Sequence, residues 1–497
     1  MLNRRHCLQS LAALAVQPIW AAEGSAPLSP EERAQHALAR LSFGARPLDA
    51  ATLQARGAEA WLADFLQTQL QDPPPVLPES LAARLAAFGT LGESQAQLGQ
   101  RWRAAQQANK AAKAANAADA QAAANARREL VRPVLTEAAS QRLLRAAASP
   151  AALYEVLVDF WFNHFNVFAG KGPVSVYVGA FEREVIRPHV FGRFRDMLGA
   201  CAKHPAMLLY LDNAQSVAEG VHARGGGRAT GLNENYAREL MELHTLGVDG
   251  GYSQQDVREL ARILTGWTLA PLQRGKADTL LFHFEARRHD WAEKHWLGLR
   301  IAATGQAEGE LALDHLAQHP ATARHIAFKL AQAFVADQPP PALVQRLAAH
   351  FLQTQGDLRA LMRQLLEAPE FWSREALGAK FKSPYRYLLS AVRALELPLA
   401  EPLALLPWLA QAGMPLYGAQ TPDGYKNTAA AWTSPEALTL RVQLASRLSE
   451  GRPRPDPQRL LDTLGRSVGM RTRSALQGES AAAQVALLLA SPDFMRY

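Results

Sequence analysis

Asn233–Thr268 reads NENYARELMELHTLGVDGGYSQQDVRELARILTGWT, and the fold turns on how this stretch is read. Asn233 suits an N-cap, because its side chain can accept from an N–H that the first helical turn leaves unpaired. A helix is expected from there to about Leu246, with Gly247 as the left-handed residue that closes it. At roughly 100° per residue, Tyr236, Ala237, Leu240, Leu243 and His244 share one face. Glu239 borders that face, while Asn235, Arg238 and Glu242 lie opposite. Glu242 and His244 therefore cannot reach one ion from a regular helix. Gly247–Gly251 reverses the chain. Ser253 with Asp256 three residues on forms a variant capping box. A second helix follows, with Val257, Leu260, Ala261 and Leu264 as its apolar stripe and Asp256, Arg258, Glu259 and Arg262 as its polar positions. The result is a tight helical hairpin.

Outward from the hairpin, the same period recurs. In Ala151–Ala169, Leu153, Val156, Leu157, Phe160, Trp161, His164 and Phe168 line one face, and Asp159, Asn163 and Asn166 make a polar stripe. Residues 104–126 are almost wholly Ala, Gln, Asn and Lys, which predicts an exposed helical arm or insertion. Gly225-Gly226-Gly227 lacks the Lys-Ser/Thr of a phosphate loop and reads as a plain loop. One β signal stands out. Leu280–Phe284 alternates, and Leu297–Ile301 is expected to pair with it, with His289 and Asp290 in the loop between. Pro415–Trp432 is an aromatic, Gly/Pro-rich loop. The predicted fold is mainly α, a multi-helical orthogonal or bundle-like array with one small β-hairpin excursion near 280–301. Residues 23–497 are expected to form one large helical domain.

The first 22 residues, MLNRRHCLQSLAALAVQPIWAA, have the charged, apolar and small-residue regions of an export signal. Asn3–Leu8 favours the twin-arginine route, with an ordinary secretory signal as the alternative. A periplasmic or secreted location follows. Losing Arg4 and Arg5 lowers the formal charge of +7 by two, a mild bias over 497 residues and no case for nucleic acid. No run of about 18 apolar residues predicts a membrane span. Cys201 becomes the only cysteine, expected as a buried structural thiol.

Inward-facing His and carboxylate groups on different helices can build a metal site. The candidates are His164, His244, Glu239, His289 and Asp290, a donor set that suits iron, zinc or manganese. Glu239 could serve as ligand or general base, with Arg238 and Glu242 as further catalytic candidates and Arg238 or Arg262 orienting a carboxylate. The spacing is neither Glu-x-x-His nor His-Glu-x-x-His. The competing reading makes His164 and His244 hydrogen-bonded core histidines and Glu239 an ion-pair partner. The test is geometric: His164, His244 and Glu239 must converge. Tyr417, Tyr425 and Trp432 are candidates for a substrate loop, either packing as a lid or stacking on a sugar.

Several phrases together resemble one family. They are His36–Gly44 (HALARLSFG), Phe160–Phe165 (FWFNHF), Asn233–Leu240, Glu242–Gly247, Leu264–Trp267, His289-Asp290, and Pro422–Tyr425 with Trp432. The family is the domain of unknown function 1800, found in exported bacterial proteins. The likeness covers nearly the whole mature chain, with the Ala-rich arm as a private insertion. It implies a mainly helical fold and a partner from the domain of unknown function 1501 family, a frequent gene neighbour. It implies no established activity. Three functions stay open: a metal-assisted hydrolase or oxidoreductase acting on an envelope or extracellular substrate, a non-catalytic envelope scaffold, and a carbohydrate-binding protein.

Overall fold

The computed structural model describes residues 27–114, 117–221, 231–270, 281–451 and 454–497, without the side chains of 111–124, 126 and 127. The expected export signal and Gly225-Gly226-Gly227 lie outside the described residues. Twenty-three α-helices carry the described chain, and its strands are confined to two short antiparallel pairs. The fold is mainly α, as the periodicity predicts. One apolar core runs from Ala34 in the first described helix to Met495 near the end of the chain. Cys201 is free and buried in it.

Local signals start the helices where the sequence puts them. Ser29 accepts from the Glu32 N–H, and Glu32 returns the bond to the Ser29 N–H. Asn233 accepts from the Tyr236 N–H at 3.0 Å to open helix Glu234–Glu242. Ser253 and Asp256 form their reciprocal box at the head of Gln254–Ile263. Asp256 does more than cap, since its second oxygen accepts from the Leu297 N–H at 2.8 Å.

Helix Glu234–Glu242 ends a turn earlier than its apolar period suggests. The Thr245 hydroxyl donates to the Leu240 carbonyl at 2.7 Å, and the His244 N–H reaches the Glu239 carbonyl five residues back at 3.1 Å. A side chain competing for backbone acceptors widens the last turn. Gly247 then takes the left-handed conformation (φ +85°), as expected.

The β pairing differs from the expected hairpin. Phe282–Phe284 pairs with Trp267–Leu269, and Lys294–Trp296 pairs with Leu299–Ile301. The strand directly after the second hairpin helix is the nearer partner, so 282–284 folds back onto it. The 299–301 strand closes instead through a two-residue turn, Leu297-Gly298, with both residues at positive φ.

The Ala-rich stretch is helical on both sides, in Gln95–Ala114 and Ala117–Ala148, and the two helices pack on each other. Helix Pro384–Ala394 is buried along its whole length and staples the N-terminal helix. Arg386 Nη2 donates to the carbonyls of Ala39, Arg40 and Ser42, satisfying acceptors that the end of helix Pro30–Leu41 leaves open. Gly44 (φ +113°) passes so close that an added Cβ would sit 3.0 Å from the Ser390 Oγ. The phrase HALARLSFG is thus a packing device. Nearby, Arg142 pairs with Asp159 at 2.6 Å, Arg187 joins Glu155 at 3.0 Å and Glu182 at 2.8 Å, and the Tyr417 hydroxyl donates to Glu182 at 2.8 Å. This network lies against helix Ala152–His164 and fixes its setting.

Candidate functional site

The early end of helix Glu234–Glu242 leaves carbonyls without helical partners, and two histidines from other helices meet them. His164, on the last turn of Ala152–His164, donates from Nε2 to the His244 carbonyl at 3.2 Å. His325, on Pro320–Phe334, donates from Nε2 to the Leu243 carbonyl at 3.3 Å. A carbonyl only accepts, so each imidazole carries its proton on Nε2. Gly247 makes room for His325, because a Cβ there would fall 2.9 Å from the His325 Nδ1. The rings of His164 and His244 stand 6.3 Å apart, and those of His164 and His325 stand 6.2 Å apart. Convergence of His164 with His244 is therefore real. His164 Nδ1 and His244 Nε2 are buried with no hydrogen-bond partner. Burial, then the nearby Lys329 ammonium and His325, push His244 down to about 3. Burial, then Lys329, hold His325 at about 4, and burial, Lys329 and both neighbouring histidines hold His164 well below its ordinary value. All three rings are neutral at physiological pH.

The other sequence candidates go elsewhere. Glu239 is half-buried, with no hydrogen bond or ion pair to its carboxylate among the described residues. Burial, then repulsion from Glu242 and Asp423, raises its pKa against the pull of Arg238. It lies on the Asp423 side of the cluster and does not line the pocket described below. Arg238 donates to Gln254 at 2.7 Å, and Glu242 accepts from the Tyr252 hydroxyl at 3.0 Å. His289 is fully engaged. Its Nδ1 donates to the Thr265 carbonyl at 2.8 Å, and its Nε2 meets Glu308 at 3.0 Å, while Lys294 closes on Glu308 at 2.6 Å. All three side chains are wholly buried. Asp290 pairs with Arg262 at 2.7 Å. His289 and Asp290 thus lock the 282–301 excursion to the second hairpin helix. Among the described residues, no group of three His, Cys, Asp or Glu side chains is placed to hold a metal ion. The five candidates His164, His244, Glu239, His289 and Asp290 do not come together as one donor set among the described residues.

The aromatic loop is fastened to helix Ala152–His164 by the polar stripe of that helix. Asn163 exchanges two bonds with the Tyr425 backbone, and Asn166 Nδ2 donates to the carbonyls of Ala419 at 3.0 Å and Thr421 at 2.9 Å. Gly424 (φ +67°) is forced, since a Cβ there would lie 2.6 Å from the Asn163 Oδ1. Tyr417 and Trp432 are buried, so neither offers a free ring face. Tyr425 is half-buried and tied by its hydroxyl to the Pro415 carbonyl at 2.7 Å.

Between this loop, helix Ala152–His164 and helix Pro320–Phe334 opens a pocket of about 670 Å³. Lys329 and His325 come to its wall from one helix, one turn apart. Lys329 is half-buried and makes no hydrogen bond or ion pair among the described residues. Burial, with Lys426 adding and Asp423 opposing, brings its ammonium down to about 8. Five basic side chains line the pocket (Arg40, Arg324, Lys329, Arg386 and Lys426) against three acidic ones (Asp159, Asp249 and Asp423). Two of those acids are already neutralised, Asp159 by Arg142 and Asp423 by Lys426 at 2.5 Å. Phe160, Phe328 and Met414 add apolar wall, and Phe328 and Val248 expose 40% and 68% of their surface at its edge.

Residues 36–496 match the family described as "Protein of unknown function (DUF1800)". The chain belongs to that family. No curated protein and no solved structure matches it. The phrases that carry the family likeness now have physical roles. HALARLSFG packs under Arg386, FWFNHF supplies Asn163 and His164, and the Asp-Gly-Tyr turn holds the loop that walls the pocket.

Sequence reasoning missed Lys329, His325 and Asp423 in this DUF1800 chain. A signal existed for the first two. In ATARHIAFKLAQAF the buried stripe is Ala323, Ile326, Ala327, Leu330, Ala331 and Phe334. His325 and Lys329 stand four apart beside it, a pair that shares one helix face.

Proposed function

We propose that the protein binds an anionic small molecule with an apolar body in the Lys329 pocket. The observation that carries this reading is Lys329 itself, an amine on a pocket wall with no partner of its own. A desolvated ammonium without a counter-charge costs stability, and a ligand carboxylate would remove that cost. The excess of basic over acidic lining groups favours the same charge. Phe160, Phe328 and Met414 would take up apolar surface. Neutral His164 and His325 add no positive charge to the wall.

Isothermal titration of the full chain with aromatic and aliphatic carboxylates, each beside its neutral amide, tests the reading. Carboxylates should bind, their amides should not, and both Lys329→Met and Arg324→Ala should weaken binding at least tenfold. Equal binding of acid and amide would remove the reading.

The export reading of residues 1–22 and a partner from the DUF1501 family are proposals of the same rank. Together they make the ligand one met in the periplasm or outside the cell. The supporting feature is the Arg4-Arg5 pair ahead of the apolar run. Cell fractionation of the full chain and of an Arg4→Lys, Arg5→Lys variant tests export, and co-purification from the envelope fraction tests the partner. Among the described residues no helix is long and apolar enough to cross a membrane.

A further inference from the structure

We propose that Lys329 is a nucleophile, and that its amine condenses with the carbonyl of a 2-oxo acid carrying an apolar group to form an imine. The inference rests on the anion-binding reading above and names the ligand's reactive group.

The geometry separates two jobs that a lysine can do. A lysine meant only to hold a carboxylate is one cation among several here, since Arg40, Arg324, Arg386 and Lys426 line the same pocket. Among the described residues, only Lys329 and Arg324 of these make no hydrogen bond or ion pair, and Arg324 is an exposed guanidinium that keeps its proton and cannot act as a nucleophile. Arg40 and Arg386 donate to backbone carbonyls, and Lys426 is spent on Asp423. The carboxylate nearest in charge to Lys329 is that same Asp423, already bonded. The groups facing Lys329 are otherwise the neutral imidazoles of His164, His244 and His325. A desolvated amine among cations and neutral rings is the setting in which lysine acts as a nucleophile. With its ammonium at about 8, roughly a tenth of Lys329 is free base at pH 7.

The step balances without an oxidant or reductant. The Nζ lone pair forms the C–N bond as the carbonyl π pair moves to oxygen, which takes a proton. The carbinolamine loses its hydroxyl as water while nitrogen sheds its proton, leaving the imine. The basic side chains hold the acid group, and the apolar wall holds the rest. Protonated on nitrogen, the imine draws electrons from C3 of the bound acid, so an acid with a C3–H can lose that proton and one with a suitable C3–C4 bond can break it, the electron pair passing into the C=N in each case.

The test uses the full chain with benzoylformate and sodium cyanoborohydride at pH 8, followed by peptide mass mapping. Hydride delivery to the imine leaves a stable secondary amine at the reacting lysine. Lys329 should be labelled at least tenfold faster than exposed Lys110, with a rate that rises as pH passes about 8. Mandelate keeps the ring and the carboxylate and lacks the ketone, so it should bind, slow the labelling and form no adduct. Lys329→Arg should abolish that adduct alone. If benzoylformate and mandelate both bind while Lys329 labels no faster than Lys110, the nucleophile is overturned and the anion pocket stands. If no carboxylate binds, both readings fall. The mapping on the unaltered protein decides the matter even where a Lys329 variant does not fold.

Discussion

Asn163 and Tyr425 exchange two hydrogen bonds: Asn163 Nδ2 donates to the Tyr425 carbonyl at 2.8 Å, and Asn163 Oδ1 accepts from the Tyr425 N–H at 2.8 Å. One side-chain amide thus stands in for a strand neighbour and holds the pocket-walling loop to helix Ala152–His164. Asn163→Asp keeps the size and loses the donor, setting a carboxylate against a carbonyl oxygen. The cost should be about 2 kcal/mol, that of leaving buried polar groups unpaired. Chemical denaturation reads the cost, and hydrogen exchange at the Tyr425 amide reads the loosened loop. An unchanged midpoint with full protection at Tyr425 would show that the clamp does not hold the loop.

Glu308 sits between His289 and Lys294 with all three side chains wholly buried. The bonds from His289 and Lys294 outweigh burial and keep its carboxyl below the usual range. Glu308→Gln leaves the Lys294 charge without its counterpart, and breaking such a pair costs about 3–5 kcal/mol. Ligand binding in the Lys329 pocket should not change, since His289 lies in a different lock. A Glu308→Gln protein of undiminished stability that no longer binds carboxylates would return His289 to the functional site.

Much of this was legible locally. Asn233 and Ser253 cap the helices they were expected to cap, because capping depends on a few neighbouring residues. His164 and His244 meet because both fall on apolar faces. The site was less legible for reasons of distance along the chain. Lys329 is an ordinary lysine on an amphipathic helix until the loop at 415–432 and the end of helix Glu234–Glu242 close around it. Pairing 280–284 with 297–301 makes His289 a loop residue, whereas 282–284 pairs with 267–269. The true neighbour of His289, Glu308, lies in the following helix Gln306–Gln318, which the hairpin reading placed outside the excursion.

Acid should unfold the protein from an unusually high pH. His244 and His325 titrate at about 3 and about 4 when folded, against an ordinary 6.5. The unfolded chain therefore binds more protons across that window, and stability is complete above about pH 6.5 and falls as pH drops below it. Each histidine contributes at most about 1.4 kcal/mol per pH unit there. His325→Gln can still donate to the Leu243 carbonyl and has no titrating ring, so its melting temperature should fall less steeply between pH 6.5 and 4. Parallel slopes for the two proteins would contradict the burial of a neutral His325.

Lys329 should be worth more to function than to stability. Its ammonium titrates at about 8 when folded and near 10.5 when free, so the unfolded chain holds the extra proton between those values. Stability is lowered by the full amount below about pH 8 and recovers as pH rises toward 10.5. Lys329→Met keeps the apolar stem and removes the charge. At pH 7 it should gain about 1–2 kcal/mol, the shift being discounted for the partial exposure of the side chain. The gain should shrink above pH 8 and be gone near 10.5, and carboxylate binding should be lost throughout. Denaturation midpoints at pH 7 and pH 10, measured beside titration calorimetry, give both halves. A variant that loses stability at pH 7 would mean that the ammonium has a partner in the folded protein, and the case for a free amine on the pocket wall would go with it.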